Sequence, residues 1–347
     1  PGGSVAVFTD FYAKILVVFI LMMNTLTTPR RLQQISWIIF LCAGYVAARA
    51  VFDYARGVNL IEGGRVAGSI GGMFGNPNDL AMNLVSFIPA GLVVAMSRRH
   101  AAGQRLIAAA VVVAMLAATV FTQSRGGFLG LATAVLVLAG LGHHIRRQFA
   151  ALMLVGALFA LPLMPASFWH RMGSIIDAQA DRAAFTGSRE ARRIVMQEGL
   201  DTFLAHPLTG VGAGQFKNYN PVDRRERWRE THNAPLQVAA ETGIVGLALY
   251  AVLIWRGFRS GALVRAWLRR TRHWQGAPPF AASERALLAE QSIAATAGLA
   301  GWLVCAMFAS VAYNWTFYVL FALVVSARTL TVTRATEALH AAAPGHA

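Results

Sequence analysis

The residues of this chain whose chemistry stands out against their surroundings are His232, Arg125, Glu241 and the arginines at 189, 192 and 193. His232 lies in Thr231-His232-Asn233-Ala234-Pro235, at the head of a long apolar block. An imidazole exchanges a proton near neutral pH, so a histidine at such a boundary is either a general base or an ordinary interfacial residue. Arg125 lies in Thr122-Gln123-Ser124-Arg125-Gly126-Gly127, a polar turn between two apolar blocks. A guanidinium there either grips an anion or snorkels to the surface. Glu241 falls inside the block that His232 opens, about 13 Å further along a helix. A carboxylate at that depth faces the protein interior, as the ion-pair partner of an arginine or as part of a site. Gly75-Asn76-Pro77-Asn78-Asp79 precedes another apolar block, and a helix cap by Asn78 or Asp79 accounts for most of it.

The elements that must hold these residues are membrane helices. Of 347 residues, 56% are hydrophobic and 14% charged, where a soluble domain carries roughly 25% charge. The apolar residues fall into blocks long enough to cross a bilayer, which takes about 20 residues each. The blocks place spans at 11–28, 35–52, 79–96, 106–122, 127–141, 149–165, 235–255, 292–310 and 312–327, about nine in all. The fold class expected is therefore all-α, a polytopic transmembrane helix bundle. Its parts are six helices over 1–165, a loop domain over 166–234, three helices over 235–327 with a basic loop at 256–290, and a tail over 328–347.

Charge in the loops orients the bundle. Arg30 and Arg31, Arg98 and Arg99, Arg146 and Arg147, the arginines from Arg256 to Arg272, and Arg328 with Arg334 fall in every second loop. The positive-inside rule puts all of these in the cytoplasm. The same pattern accounts for the net charge of +15 without nucleic acid as a partner. Arg125, His232, the Asn76–Asp79 turn and the 166–234 loop then share the opposite face. The chain opens Pro1-Gly2-Gly3, with neither an initiator methionine nor a signal-peptide pattern, and a start in the cytoplasm would need an odd number of helices ahead of it. Cys42 and Cys305 stand inside apolar blocks and are expected as apolar fillers rather than a disulfide.

Within the 166–234 loop, residues 188–205 read as an amphipathic helix with Ile194, Met196, Leu200, Phe203 and Leu204 as its apolar stripe. Its plainest role is to lie on the membrane surface. His206-Pro207 ends it. Gly210, Gly212 and Gly214 follow, where backbone can turn tightly or approach a ligand. The mixed-charge run Asp223–Glu230 is either a solvated helix or a cationic wall for an anionic head group.

Taken in order, several segments resemble the O-antigen ligase and polymerase family of bacterial envelope glycosyltransferases. They are Gly75-Asn76-Pro77-Asn78-Asp79-Leu80-Ala81, Ser124-Arg125-Gly126-Gly127, Arg192 ahead of His206-Pro207-Leu208-Thr209-Gly210-Val211-Gly212, and His232-Asn233-Ala234-Pro235-Leu236 with Glu241-Thr242-Gly243-Ile244-Val245-Gly246. The resemblance runs from about Asp10 to Ser326, with Met196 where the family usually has Trp. It implies a multi-pass protein of the bacterial inner membrane, with one large periplasmic loop and an active site facing the periplasm. It implies transfer of a glycan from an undecaprenyl diphosphate carrier to an acceptor, lipid A–core in a ligase or another carrier-linked glycan in a polymerase.

The family's essential histidine falls on His232 and its two essential arginines on Arg125 and Arg192. Arg189, Arg193, Asn76, Asn78 and Glu241 are the expected substrate-binding residues. On that mechanism the arginines face the leaving diphosphate and His232 takes the acceptor proton. No Asp-x-Asp pair or nucleotide motif is present on that face, so no metal and no cofactor are expected. A flippase for a lipid-linked glycan would share the helices and the cationic face, but would not need His232 and would show interrupted spans. A scaffold would have no sensitive site.

Overall fold

The computed structural model describes residues 2–61, 64–142, 169, 188–219, 230–271 and 279–342, with the side chains of residues 73, 188–191 and 339–342 excepted. The expected span at 149–165 and most of the 223–230 run lie outside the described residues.

The fold is all-α, and 80% of the described residues are helical. Its helices are α1 (Gly2–Thr25), α2 (Pro29–Ala55), α3 (Pro77–Met96), α4 (Ala102–Phe121), α5 (Arg125–Leu141), α6 (Ser188–Ala205), α7 (Ala234–Arg270), α8 (Ala282–Ala306) and α9 (Trp315–Ala342). Among the described residues seven helices are long and apolar enough to cross a membrane, and α5 is a shorter apolar helix of 17 residues. Between α2 and α3 runs a two-residue antiparallel ladder, β1 (Leu60–Ile61) with β2 (Arg65–Val66).

Side-chain oxygens and prolines set the helix starts. Thr28 Oγ1 accepts from Arg31 N–H, Asn76 Oδ1 from Asn78 N–H, Ser124 Oγ from Gly127 N–H and Asn233 Oδ1 from Leu236 N–H. Asn76 thus caps α3, not Asn78 or Asp79, because Pro77 takes the first helical position, where its missing N–H costs nothing. Asn233 rather than Thr231 caps α7, whose second residue is Pro235.

Helix α8 sits at the centre, against α3, α5, α7 and α9. Small residues let it do so: Gly301 abuts Ala134 and Gly130 of α5, and Gly298 abuts the Ser86 carbonyl of α3. Lipid gives helices no hydrophobic reason to associate, so close packing of small residues has to. Cys305 is buried in this seam, as expected, while Cys42 is exposed on α2.

The region expected as a basic loop at 256–290 is mostly helical. Helix α7 continues to Arg270 and α8 begins at Ala282, because Val264 and Leu268 are buried and Arg265 donates to Ser292 and Thr296 Oγ1. Helix α9 likewise continues through the expected tail, with Arg334 paired to Glu284. Ser97 and His100 both reach Glu290, and Arg99 donates to the Ser283 carbonyl. These contacts gather several of the basic segments at one end of the bundle.

The expected span at 235–255 is interrupted. Gly243 has φ 65° and ψ −164°, which breaks α7 after its first nine residues, 234–242. The break frees backbone groups, and the glycine loop between α6 and α7 takes them up. Val211 N–H donates to the Ala240 carbonyl at 3.0 Å, Gly212 N–H to the Glu241 carbonyl at 2.8 Å, and Ile244 N–H to the Pro207 carbonyl at 2.8 Å. Gly210 (φ 63°) and Gly243 each press backbone against backbone, so a β-carbon on either would collide with the facing chain.

Gly243→Ala is therefore expected to lower stability by about 1–3 kcal/mol, from left-handed backbone strain alone, with the collision added. Thermal unfolding in detergent checks it, with Gly140→Ala, where a β-carbon meets open space, as the neutral control.

Candidate active site

His232 is one of three described non-glycine residues with positive φ, at 52°. Left-handed backbone in a side-chain-bearing residue persists only where its surroundings impose it. Here they are a single turn, residues 307–314, between α8 and α9. Ser310 Oγ accepts from His232 N–H at 2.8 Å and shares a 3.2 Å hydrogen bond with Thr231 Oγ1. Asn233 Nδ2 donates to the Met307 carbonyl at 3.2 Å, and Gln237 Oε1 accepts from Ala312 N–H at 3.4 Å. The head of α7 is thus clamped on the α8–α9 turn, and His232 stands half-buried at the junction.

The same turn meets Gly126, the residue after Arg125. Gly126 packs on Phe308, and its carbonyl accepts from Cys305 Sγ–H at 3.4 Å. Arg125 is the first residue of α5, next to the Ser124 cap, and is half-buried. Gln123, two residues before it, is another positive-φ residue, at 48°. The turn is braced from behind by Arg65. Its guanidinium donates to the Thr122 carbonyl at 2.9 Å and to Asn78 Oδ1 at 2.8 Å, while Ser124 Oγ–H donates to the same Oδ1 at 3.0 Å. Asn78 is therefore a node of this brace, and Asn76 serves as the α3 cap with its side chain exposed.

Helix α6 occupies residues 188–205, as its amphipathic pattern predicts, and turns a face other than the apolar stripe inward. Val195, Gly199 and Thr202 are buried, with Val195 in a small cluster with Phe216 and Ala240, and Gly199 against Leu236 and Thr231. Met196, Leu200 and Leu204 of the apolar stripe, expected on the membrane surface, are exposed. Arg192 lies seven residues before Gly199, two turns along the same side of the helix, and is half-buried; Arg193 is turned away and exposed. The side chain of Arg189 lies outside the described residues. Arg125, Arg192 and His232 thus share one end of the bundle, opposite the basic segments.

Glu241 is buried, and among the described residues no arginine pairs with it. Its Oε2 accepts from Gly214 N–H and from Tyr313 Oη–H, both at 2.8 Å, and its Oε1 from Phe216 N–H at 3.4 Å. Burial, and after it the neighbouring carboxylate, hold the Tyr313 phenol above its ordinary pKa, so it remains a donor. Glu241 stitches the glycine loop and the α8–α9 turn to α7.

Sequence reasoning passed over Arg65, Ser310 and Tyr313 as site-building residues. Arg65 carried a signal, an arginine in a lightly charged loop. Ser310 and Tyr313 carried none, because their partners are about 70 to 80 residues away in the chain.

Glu241→Ala strands two buried amides and a phenol. At about 1–3 kcal/mol for each unsatisfied group, it is expected to destabilise the fold by at least 2 kcal/mol, whereas Glu241→Gln keeps acceptors and loses less. Thermal unfolding and protease cleavage in residues 206–219 measure both.

Compared with known protein families, residues 110–251 match the family described as O-antigen ligase. This bears out the resemblance carried by the Ser124–Gly127, Arg192–Gly212 and His232–Gly246 segments. The matched span holds Arg125, Arg192, His232 and Glu241, and leaves Asn76 and Asn78 outside. No curated protein matches the chain.

Proposed function

We propose, from the resemblance of residues 110–251 to O-antigen ligases, that this multi-pass membrane protein transfers a glycan from an undecaprenyl diphosphate carrier to an acceptor sugar, as an O-antigen ligase acting on lipid A–core at the periplasmic face of the inner membrane. The observation that carries the reading is the strained backbone of His232, held by Ser310 on the turn that also packs against Gly126, beside Arg125.

In the reaction, the acceptor oxygen forms a bond to the anomeric carbon as the bond from that carbon to the carrier phosphate breaks. His232 takes the hydroxyl proton, which contributes about a hundred- to ten-thousand-fold in rate. The carrier diphosphate leaves with the bonding pair, and Arg125 and Arg192 meet its growing charge. Arginine suits this because its guanidinium is a permanently charged fork of donors. A single displacement inverts the anomeric centre and needs no metal. Arg65, Asn78, Glu241 and Tyr313 act through position, by fixing the turn before Arg125 and the loop behind His232. The break at Gly243 is filled by protein backbone, whereas interrupted transporter helices use such breaks to coordinate ions or substrate.

Purified protein with a carrier-linked glycan and lipid A–core is expected to transfer glycan. Transport without transfer would mark a flippase, and transfer only to another carrier-linked glycan would mark a polymerase. His232→Ala is expected to abolish transfer while donor binding persists, and the acid limb of the rate profile should flatten in any His232 variant with residual activity. Arg125→Lys, with charge kept but the fork lost, is expected to lose most of the rate. Near wild-type transfer by folded His232→Ala would remove the general base from the mechanism.

A further inference from the structure

Among the described residues, nothing covers one face of helix α6. Leu200 and Leu204 stand one turn apart on it, and Leu208 follows just past its end. All three are exposed, Leu204 by 63% and Leu208 by 69%. The other side of α6 is packed against α7 and Phe216. The uncovered side is therefore not a face awaiting the bundle, because the bundle already holds its opposite.

What covers it follows from where it ends. Pro207 accepts the Ile244 amide at 2.8 Å, and the Leu208 backbone lies directly against Gly243. Leu208 thus stands at the level of Gly243 and Ile244 in a spanning helix. Ile244, Val245 and Leu249 on that helix are themselves exposed apolar residues, and on a membrane span such residues face acyl chains. The leucines of α6 extend from this lipid-facing strip through Leu208, whose backbone lies against Gly243. A bilayer that wets Ile244 with lipid has to reach Leu208 and, one turn on, Leu204. Exposed apolar surface of this extent marks a membrane or partner contact rather than a water-facing one. Arg193 lies at the far end of the same side, exposed, where a cation can reach head groups or water.

We infer that α6 is an interfacial helix, with Leu200, Leu204 and Leu208 immersed at the boundary of head groups and acyl chains and its opposite side docked on α7. The loop that carries Arg192 is then seated in the membrane surface rather than suspended above it, and Arg192 is held at the depth of lipid phosphates. The inference rests on the spans and the exposure pattern, and it stands whether the protein transfers or transports its lipid.

The test uses the full chain in nanodiscs of phosphatidylethanolamine and phosphatidylglycerol, in a Cys42→Ala background with the buried Cys305 left in place. Nitroxide labels at Leu204→Cys, Asp201→Cys and Val245→Cys report collision with oxygen, which concentrates in lipid, and with a nickel chelate, which stays in water. Leu204→Cys is expected to match Val245→Cys, with oxygen favoured several-fold, while Asp201→Cys, exposed on the neighbouring side, favours nickel. Leu200→Cys, one turn earlier, repeats the measurement should the first label perturb folding. A nickel accessibility at 204 and 200 equal to that at 201 would overturn the inference in favour of a water-borne helix. Exclusion of both reagents would overturn it in favour of a second protein segment on that face. Neither readout requires turnover, so a failure here is separate from a failure of the glycan-transfer reading.

Discussion

A helix broken by a glycine leaves amides and carbonyls without their helical partners, at about 1–3 kcal/mol for each one buried unpaired. Everything at the site end of this protein follows from how that constraint is met at Gly243. The carbonyls of Ala240 and Glu241, which an unbroken helix would have closed itself, accept from Val211 and Gly212, and the Ile244 amide reaches Pro207. The glycine loop is thereby part of the spanning helix in hydrogen-bonding terms. Because Gly210 and Gly243 let the two backbones touch, the loop cannot drift from the helix without exposing those groups.

That docking fixes the rest in turn. With the loop held, Gly214 and Phe216 deliver their amides to Glu241, and Tyr313 joins them from the α8–α9 turn. The same turn supports the backbone of His232 through Ser310 and packs Phe308 on Gly126 beside Arg125. Phe216 and Ala240 enclose Val195, which sets the rotation of α6 and with it the side on which Arg192 lies. The three candidate catalytic residues come from three separate stretches of chain, yet each is positioned within a few contacts of one eight-residue turn and one broken helix.

The polar groups in this arrangement divide by what they touch. Arg65, Asn78, Thr122 and Ser124 hydrogen-bond to one another and lock a turn; Glu241 and Tyr313 lock a loop. They are supports, and their chemistry is satisfied within the protein. His232 and Arg125 sit at the supported positions, half-buried, on backbone that is itself at or beside a left-handed residue. Strain held by surrounding packing is a mark of a site that has to be preorganised.

The sequence by itself determined the helices, their number within the described residues, and the chemistry available. Apolar blocks of membrane length and the amphipathic period over 188–205 are local signals, read from neighbours one to four residues apart. His232, Arg125 and Arg192 became candidates through the family resemblance, whose motifs they match along the chain. Tertiary structure alone decided what depends on distant partners. The break at Gly243 was not legible because a glycine in an apolar block is common in membrane helices, and only the facing loop makes it a hinge of hydrogen bonds. The inward face of α6 was not legible because apolar residues on a membrane protein have two apolar places to go, the bundle and the lipid. Hydrophobic pattern cannot tell them apart; small Gly199, packed against Leu236 and Thr231, settles it. Glu241 was left between an ion pair and a site role because its partners, two backbone amides and a phenol, leave no mark in composition or spacing.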